Sequence, residues 1–479
     1  MAMRAAAHRL HSVPKSRSVF TAHSFSTTAR VSSLPKNEKA RIQNESLLPT
    51  PDPGPDSSTA AFLKQRTPYM VPTYVRPMPM FVKGQGCYLW DMENRRFLDL
   101  TAGIAVNSLG HCDPEIAKLI AEQAETLIHA SNLYHNPWTG ALSKLLVETT
   151  VQSGAMRDAA QVFIANSGTE ANEAAIKFAR KVGKTLDSSG AKHEVVSFHN
   201  SFHGRTIGAL SATPNPKYQT PFAPMVPGFR YGTYNDIEQL QTLITDKTCG
   251  VIVEPIQGEG GVNVATPEFL LALRERCDQV GAVLIYDEIQ CGLSRTGTFW
   301  AHAHPSLSPP STSTKPAAHP DILTTAKALG NGVPISATIL TRNVASAIAT
   351  GDHGTTFGGN PLVCRVAHHI VSRLASSELQ NGVELKSSLF TTGFHSLKEQ
   401  FPDVISEIRG LGLILGVQLH ANFVPKAAEI LTAARQRGLL VITAGEGCLR
   451  FVPPLTITEE QIRTSLGILE ESFRAVLNN

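Results

Sequence analysis

Through the middle of the chain, short apolar runs alternate with longer amphipathic ones. QVFIANS (161–167) is an apolar run that closes on turn residues. TEANEAAIKFARKVG (169–183) then brings Ala171, Ala174, Ala175, Phe178 and Val182 onto one helical face. EVVSF (194–198), CGVIVEP (249–255) and AVLIYDE (282–288) read as strands, the last ending on acids. TPEFLLALRERCDQVG (266–281) reads as a helix with Thr266 as its cap, Pro267 in its first turn and Gly281 after it. Apolar strands alternating with helices predict an α/β fold whose mostly parallel sheet is covered on both faces. Ligands of such sheets bind beyond the carboxyl ends of the strands. Ser167, Gly168, Thr169, Phe202, Glu254 and Asp287 all fall at or just past such ends.

The pattern changes toward both termini. PMFVKGQGCYLWDMENRRFLDL (79–100) predicts a twisted hairpin with turns at Lys83–Gly86 and Glu93–Asn94. Residues 371–479 mix helices with short strands such as LGLILGVQL and GCLRFVPPL. The expected plan is a large domain over 111–370 and a smaller α/β domain built from 61–110 and 371–479.

Composition narrows the class. The 479 residues are 42% hydrophobic and 17% charged, as expected of a globular chain with a large core. No apolar stretch reaches the roughly 18–20 residues of a membrane helix, so no membrane partner is expected. The seven cysteines are odd in number and none forms CxxC, which argues against a disulfide framework and a zinc or other metal site. Residues 1–37 hold Arg4, Arg9, Lys15, Arg17, Arg30 and Lys36, many serines and no acid. That is the pattern of an organelle transit peptide, here read as mitochondrial with a matrix destination. Without those six residues the chain carries 37 basic against 40 acidic side chains, and the net of +3 becomes −3. Nucleic acid loses its only support as a partner. LLPTPDPGPDSST (47–59) reads as part of a flexible linker over 38–60, with ordered chain beginning near Ala60. PSLSPPSTSTKPAAHP (305–320) reads as a surface loop insertion.

TTAKALGNGVPISA (324–337) holds one lysine among small and apolar residues, and the nearest acid, Asp321, is six positions back. Lys327 is either a snorkelling lysine or an amine kept for chemistry. Ser167, Gly168 and Thr169 open a helix after a strand, so they can cap it or hold a phosphate at its positive end. Neither GxxxxGK[ST] nor GxGxxG occurs. Asp287 follows five apolar residues, and a carboxylate there needs a partner, either a distant cation or a protonated heterocyclic nitrogen. Lysine, strand-end acid and phosphate site together match pyridoxal 5'-phosphate.

Nine stretches then stand in one order: GIAVNSLGHCDPE, NSGTEANEAAIKFAR, SFHGRTIGALSAT, VEPIQGEGGV, YDEIQCGLSRTG, AKALGNGVPISA, HGTTFGGNP, IRGLGLILGVQL and LRFVPPL. From about residue 65 onward the chain resembles the class-III pyridoxal-phosphate aminotransferases of fold-type I. The resemblance implies that Lys327 is the lysine bonded to the cofactor and the carrier of a proton between substrate carbon and C4′. Asp287 would hold the pyridine nitrogen protonated, Gln290 would bond the phenolic oxygen, and Ile289 and Phe202 would cover the two ring faces. Ser167, Gly168 and Thr169 would take the phosphate, joined by Thr356 of a second subunit in a homodimer. Arg205, Glu259, Thr355 and Arg450 would meet substrate, with Glu259 masking Arg450 until a 2-oxoglutarate or glutamate carboxylate arrives. Glu254 would stand behind the site, and His111, His199 and His203 are expected to be structural. Cys291, Ser294, Asn331 and Val452 depart from the family pattern, where Thr, Gly, Gly and Ala are usual; Cys291 raises the expectation of thiol sensitivity. FVKGQG, GIAVNSLGH, SNLYHN and EIRGLGLILG are most similar to members acting on N²-acetyl-L-ornithine. The implied reaction moves its δ-amino group to 2-oxoglutarate, giving N-acetyl-L-glutamate 5-semialdehyde and L-glutamate, in arginine biosynthesis. Ornithine and 4-aminobutyrate are the alternative amines.

Overall fold

The computed structural model describes residues 48–156, 158–308 and 318–478. The transit-peptide reading of 1–37, the linker as far as residue 47, and 309–317 of the insertion lie outside the described residues.

The four strands read from the sequence all belong to one seven-stranded sheet, which adds three that the sequence pattern did not announce, Phe229–Gly232, Ile322–Thr325 and Ser336–Thr341. Its members are β1 (Ala159–Ala165), β2 (Glu194–Phe198), β3 (Phe229–Gly232), β4 (Thr248–Val253), β5 (Val283–Asp287), β6 (Ile322–Thr325) and β7 (Ser336–Thr341). They lie in the order β1-β7-β6-β5-β4-β2-β3. All neighbours are parallel except at β7, which is antiparallel to both β6 and β1. Strands β4, β5, β6 and β7 are buried along their whole length; β4 and β5 accordingly read as largely apolar runs rather than alternating ones, whereas β6 and β7 carry buried threonines and a serine.

Helix α1 (Gly168–Leu186) follows β1 and buries the face expected of it, Ala171, Ala174, Ala175, Phe178 and Val182. Ser167 caps it by accepting from the Glu170 N–H. Helix α2 (Pro267–Val280) is stopped at both ends by sequence: Thr266 accepts from Phe269 N–H, and Gly281 adopts φ +67° at the C-cap. Phe269 of α2 packs edge-on against Phe198 of β2, ring centroids 5.1 Å apart. Such a pair is worth about 0.5–1.5 kcal/mol beyond its burial.

The segment expected as a hairpin is a three-stranded antiparallel meander, Phe81–Gln85, Tyr88–Asp91 and Arg96–Asp99. Leu439–Leu440, from the far end of the chain, pairs parallel with its last strand. A further sheet pairs Ile405–Leu411, Ile414–Leu419, Cys448–Phe451 and Ile442–Ala444 in that order. The described part of the expected linker is not free. Asp52 meets Arg435 at 2.7 Å and Arg95 at 3.7 Å, Thr50 N–H donates to Gln436 O, and Ser57 caps a helix that begins at Ser58. One acid set among prolines finds two guanidinium groups, and that is enough to seat it.

Two of the sequence departures have a backbone reason. Ser294 and Asn331 hold φ +66° and +44°, conformations that glycine adopts freely and other residues pay to enter. Each is compensated through its side chain. Ser294 Oγ donates to Leu374 O, while Asn331 Oδ1 accepts from Leu109 N–H and its Nδ2 donates to Gly110 O. No described helix is long and apolar enough to cross a membrane.

Candidate active site

A cavity of about 340 Å³ opens at the carboxyl edge of the sheet, a size typical of small-molecule sites. Five strands deliver residues to it from one edge. Ser167, Gly168 and Thr169 follow β1; Phe202 and Arg205 follow β2; Glu254 follows β4; Asp287 ends β5; Lys327 follows β6. Because β7 runs the other way, its entry residues Pro334 and Ile335 close the same wall.

The side-chain amine of Lys327 makes no hydrogen bond and no ion pair among the described residues. Its backbone sits at φ +36°, a region a non-glycine residue enters only when its surroundings hold it there. Burial, and then the positive charge of Arg450, lower its amine from the ordinary 10.5 to about 8. A sizeable fraction of this amine is therefore neutral near pH 8, with its lone pair uncommitted.

Asp287 is 3% exposed and is held through both oxygens, with acceptor capacity left over toward the cavity it lines. Its Oδ2 accepts from Asn172 Nδ2 and faces His203 Nδ1, both at 2.8 Å, and its Oδ1 accepts from Ile289 N–H at 3.0 Å. Asn172 is fixed in turn by Thr324 Oγ1, which donates to its Oδ1, and by its own bond to His203 O. Sequence reasoning missed Asn172. The available signal was a polar residue four positions after Gly168, on the buried face of an otherwise alanine-rich helix. His203 bonds as a structural histidine does, but its partner is the central acid, and its buried Nε2 has no partner among the described residues.

The start of α1 forms an anion cradle. The N–H groups of Gly168 and Thr169 have no acceptor among the described residues, and they lie at the positive end of a 19-residue helix. A Cβ at Gly168 would come within 2.9 Å of Ile289, so only glycine lets that side chain approach. Ser167 Oγ is committed to the cap and donates to Glu170 Oε2 at 2.7 Å. Thr169 Oγ1 meets Thr206 Oγ1 at 2.8 Å, tying the cradle to the loop that carries Arg205. Thr355 Oγ1 accepts from Asn166 Nδ2 at 3.1 Å, at the cavity margin. Thr356 is exposed and does not line this chain's cavity.

Arg450 and Glu259 flank the cavity rather than line it. Arg450 is 2% exposed; its Nη2 donates to Glu259 Oε2 at 2.8 Å and its Nη1 to Gln290 Oε1 at 3.0 Å. Gln290 thereby joins Arg450 to the cavity and keeps its own Nε2 free to donate. Arg205 is exposed, with its guanidinium carbon 3.7 Å from the ring centroid of Tyr218. Glu254, whose carboxyl burial pushes up, accepts from Phe202 N–H at 2.9 Å and supports that ring from behind. Cys291 is buried and its thiol lies well above the ordinary range through burial and the nearby Glu288. The reactive thiol expected there is not available, because it stays protonated and shielded. His111 bonds Asp99 at 2.8 Å, and His199 lies 6.3 Å from the Tyr231 ring.

A bare amine, a buried carboxylate and unsatisfied helix-start amides suit a ligand with an aldehyde, a basic ring nitrogen and a phosphate. Pyridoxal phosphate carries all three, and the residues present fit it.

The profile described as aminotransferase class-III matches residues 70–473. A Neurospora crassa protein named acetylornithine aminotransferase, mitochondrial, is 64% identical over 432 residues, covering 90% of this chain and 91% of its own length. The protein of that name from Yarrowia lipolytica is 54% identical over 415 residues, covering 87% and 96%. Among solved structures, the ornithine aminotransferase of Toxoplasma gondii superposes with a TM-score of 0.80 at 31% identity, covering 93% of this chain and 100% of that one. N-acetylornithine aminotransferase of Stenotrophomonas maltophilia gives 0.72 at 38% identity, covering 87% and 99%.

Proposed function

This chain belongs to the class-III aminotransferases, and we propose that it moves the δ-amino group of N²-acetyl-L-ornithine to 2-oxoglutarate, giving N-acetyl-L-glutamate 5-semialdehyde and L-glutamate. The step belongs to arginine biosynthesis. The acetyl group keeps the α-amine from attacking the aldehyde product, which in free ornithine would cyclise. The observation that carries the reading is the Arg450–Glu259 pair at 2.8 Å beside an unpaired lysine amine. A site with one masked and one open guanidinium can serve two substrates that differ by a carboxylate.

Pyridoxal phosphate, when bound, supplies a conjugated electron sink next to the substrate's amine-bearing carbon. Lys327 is the residue for its covalent attachment, and its Nζ takes and returns the proton at that carbon. Asp287, kept in place by Asn172 and His203, holds a proton on the ring nitrogen. Gly168 and Thr169 would hold the phosphate with their N–H groups, Gln290 would donate through Nε2 to the phenolic oxygen, and Ile289 and Phe202 would enclose the ring. Arg205 takes the carboxylate common to both substrates, with Thr355 at the rim. Glu259 masks Arg450 while the single-carboxylate amine is bound and releases it to the second carboxylate of 2-oxoglutarate.

The working form is a homodimer in which Thr356 completes the partner's phosphate site. Leu133 (85% exposed), Tyr134 and Phe357 (63% exposed) support this: they form apolar surface beside Thr355 and Thr356, where Asn132 Nδ2 donates to Thr355 O. Destination in the mitochondrial matrix rests on the acid-free basic leader and on relatives named mitochondrial. Likeness to a solved ornithine aminotransferase keeps ornithine as the second reading. Half-reactions of the purified enzyme with acetylornithine, ornithine and 4-aminobutyrate separate the readings. Acetylornithine is expected to give the highest kcat/KM; a higher value for ornithine overturns the substrate assignment.

A further inference from the structure

Arg205 makes no hydrogen bond and no ion pair among the described residues, so all five of its N–H donors are open to a ligand. What holds it is aromatic. Its guanidinium carbon is 3.7 Å from the Tyr218 ring centroid and 5.4 Å from that of Phe202, and the two rings meet edge-on at 6.2 Å. Tyr218 stands on the short helix Pro216–Gln219, fixed by its own N–H to Asn215 O at 2.9 Å and by the Asn215 side chain capping Lys217 N–H. Its hydroxyl has no partner among the described residues, so the ring face is the part in use.

A free arginine side chain samples many rotamers, a freedom that a bound carboxylate would have to freeze. We propose that Tyr218 is a positioning residue that stacks Arg205 into its carboxylate-receiving pose before substrate arrives. The proposal rests on the reading of Arg205 as the carboxylate anchor.

The test uses the holoenzyme and two amines, acetylornithine and N-acetyl-1,4-diaminobutane, which is the same chain without its carboxylate. Tyr218→Ala is expected to raise KM for acetylornithine and for 2-oxoglutarate about three- to tenfold, the scale of one cation–π contact. Its kcat should change far less, and kcat/KM for the carboxylate-free amine should hold. Calorimetric Kd for glutarate, an unreactive dicarboxylate, should weaken by the same factor, and Tyr218→Phe should restore both readouts. An equal loss for both amines makes Tyr218 merely structural and overturns the proposal. So does a loss in Tyr218→Phe that matches Tyr218→Ala, since the hydroxyl would then be the acting group. Arg205→Gln separates the two levels. If it abolishes the preference for the carboxylate-bearing amine while Tyr218→Ala leaves that preference intact, the stacking role alone fails. If Arg205→Gln leaves the preference intact, the anchor reading fails and the proposal falls with it.

Discussion

Arg450 is buried on a strand and held by Glu259 and Gln290, whereas Arg205 is exposed on a loop with its guanidinium against two aromatic rings. The difference follows from solvation. A buried guanidinium must be paired or satisfied by hydrogen-bond acceptors, because a bare charge away from water costs several kcal/mol. An exposed one is hydrated and can wait without an acid. An incoming carboxylate therefore reaches Arg205 at any time but reaches Arg450 only by displacing Glu259. N-Acetylornithine has one carboxylate and 2-oxoglutarate has two. A permanent receiver and a gated one suit that pair without changing the cavity between them.

Replacing the gated arginine tests this most severely. Arg450→Gln should lower kcat/KM for 2-oxoglutarate about 10²-fold or more, the scale of truncating a buried charge partner. The loss for acetylornithine in the first half-reaction should be clearly smaller. Equal losses would mean that the two arginines are not divided between carboxylates.

Glu259→Gln removes the mask and keeps its shape. Arg450 can then draw the substrate's only carboxylate to the wrong end, so kcat/KM for acetylornithine should fall about tenfold, the scale of one charge-assisted hydrogen bond. Turnover of 2-oxoglutarate should be kept. A parallel fall in both half-reactions would assign Glu259 to structure rather than gating.

The smallest effect is electrostatic. Lys327 feels Arg450, whose charge is the second cause of its lowered pKa, and Arg205 is not among the causes. Acylation of Lys327 in cofactor-free protein should rise tenfold per pH unit, then level off near pH 8. Arg450→Gln should move that plateau to higher pH, and Arg205→Gln should leave it in place. Stability carries the same sign. The unfolded chain, with its lysine near 10.5, binds more protons than the folded chain between about pH 8 and 10.5. The contribution of Lys327 to stability thus improves as pH rises through that window and is at its poorest below pH 8.

The parts of the site that sequence revealed are those tied to an element boundary. Asp287 ends an apolar strand and Ser167 to Thr169 open a helix, so local pattern located both, while Lys327 stood out only as a lone amine in a run of small and apolar residues. Four of the seven strands were legible to within two residues, because they are written as apolar runs; β3, β6 and β7 were not, since FRYG, ILTT and SATILT mix polar residues into the strand. Partnerships across the chain left no such trace. Asn172 meets Asp287 over 115 positions and Arg450 meets Glu259 over 191; no periodicity reports distances of that kind. The Arg450–Glu259 pairing was anticipated through family resemblance alone. Tyr218 was missed because a lone tyrosine in a proline-flanked loop looks like surface. Asp52 was missed because proline-rich composition describes the backbone and says nothing of one acid's distant partners.

The backbone of Lys327, at φ +36°, costs a residue with a Cβ roughly 1–3 kcal/mol, while glycine would sit there without that cost. Folding on its own would select against this lysine. A duplicated copy of the chain relieved of transamination could recover that stability by exchanging the lysine for glycine. A glycine at this position in an otherwise intact descendant would therefore be the signature of a lineage that kept the architecture and gave up the reaction.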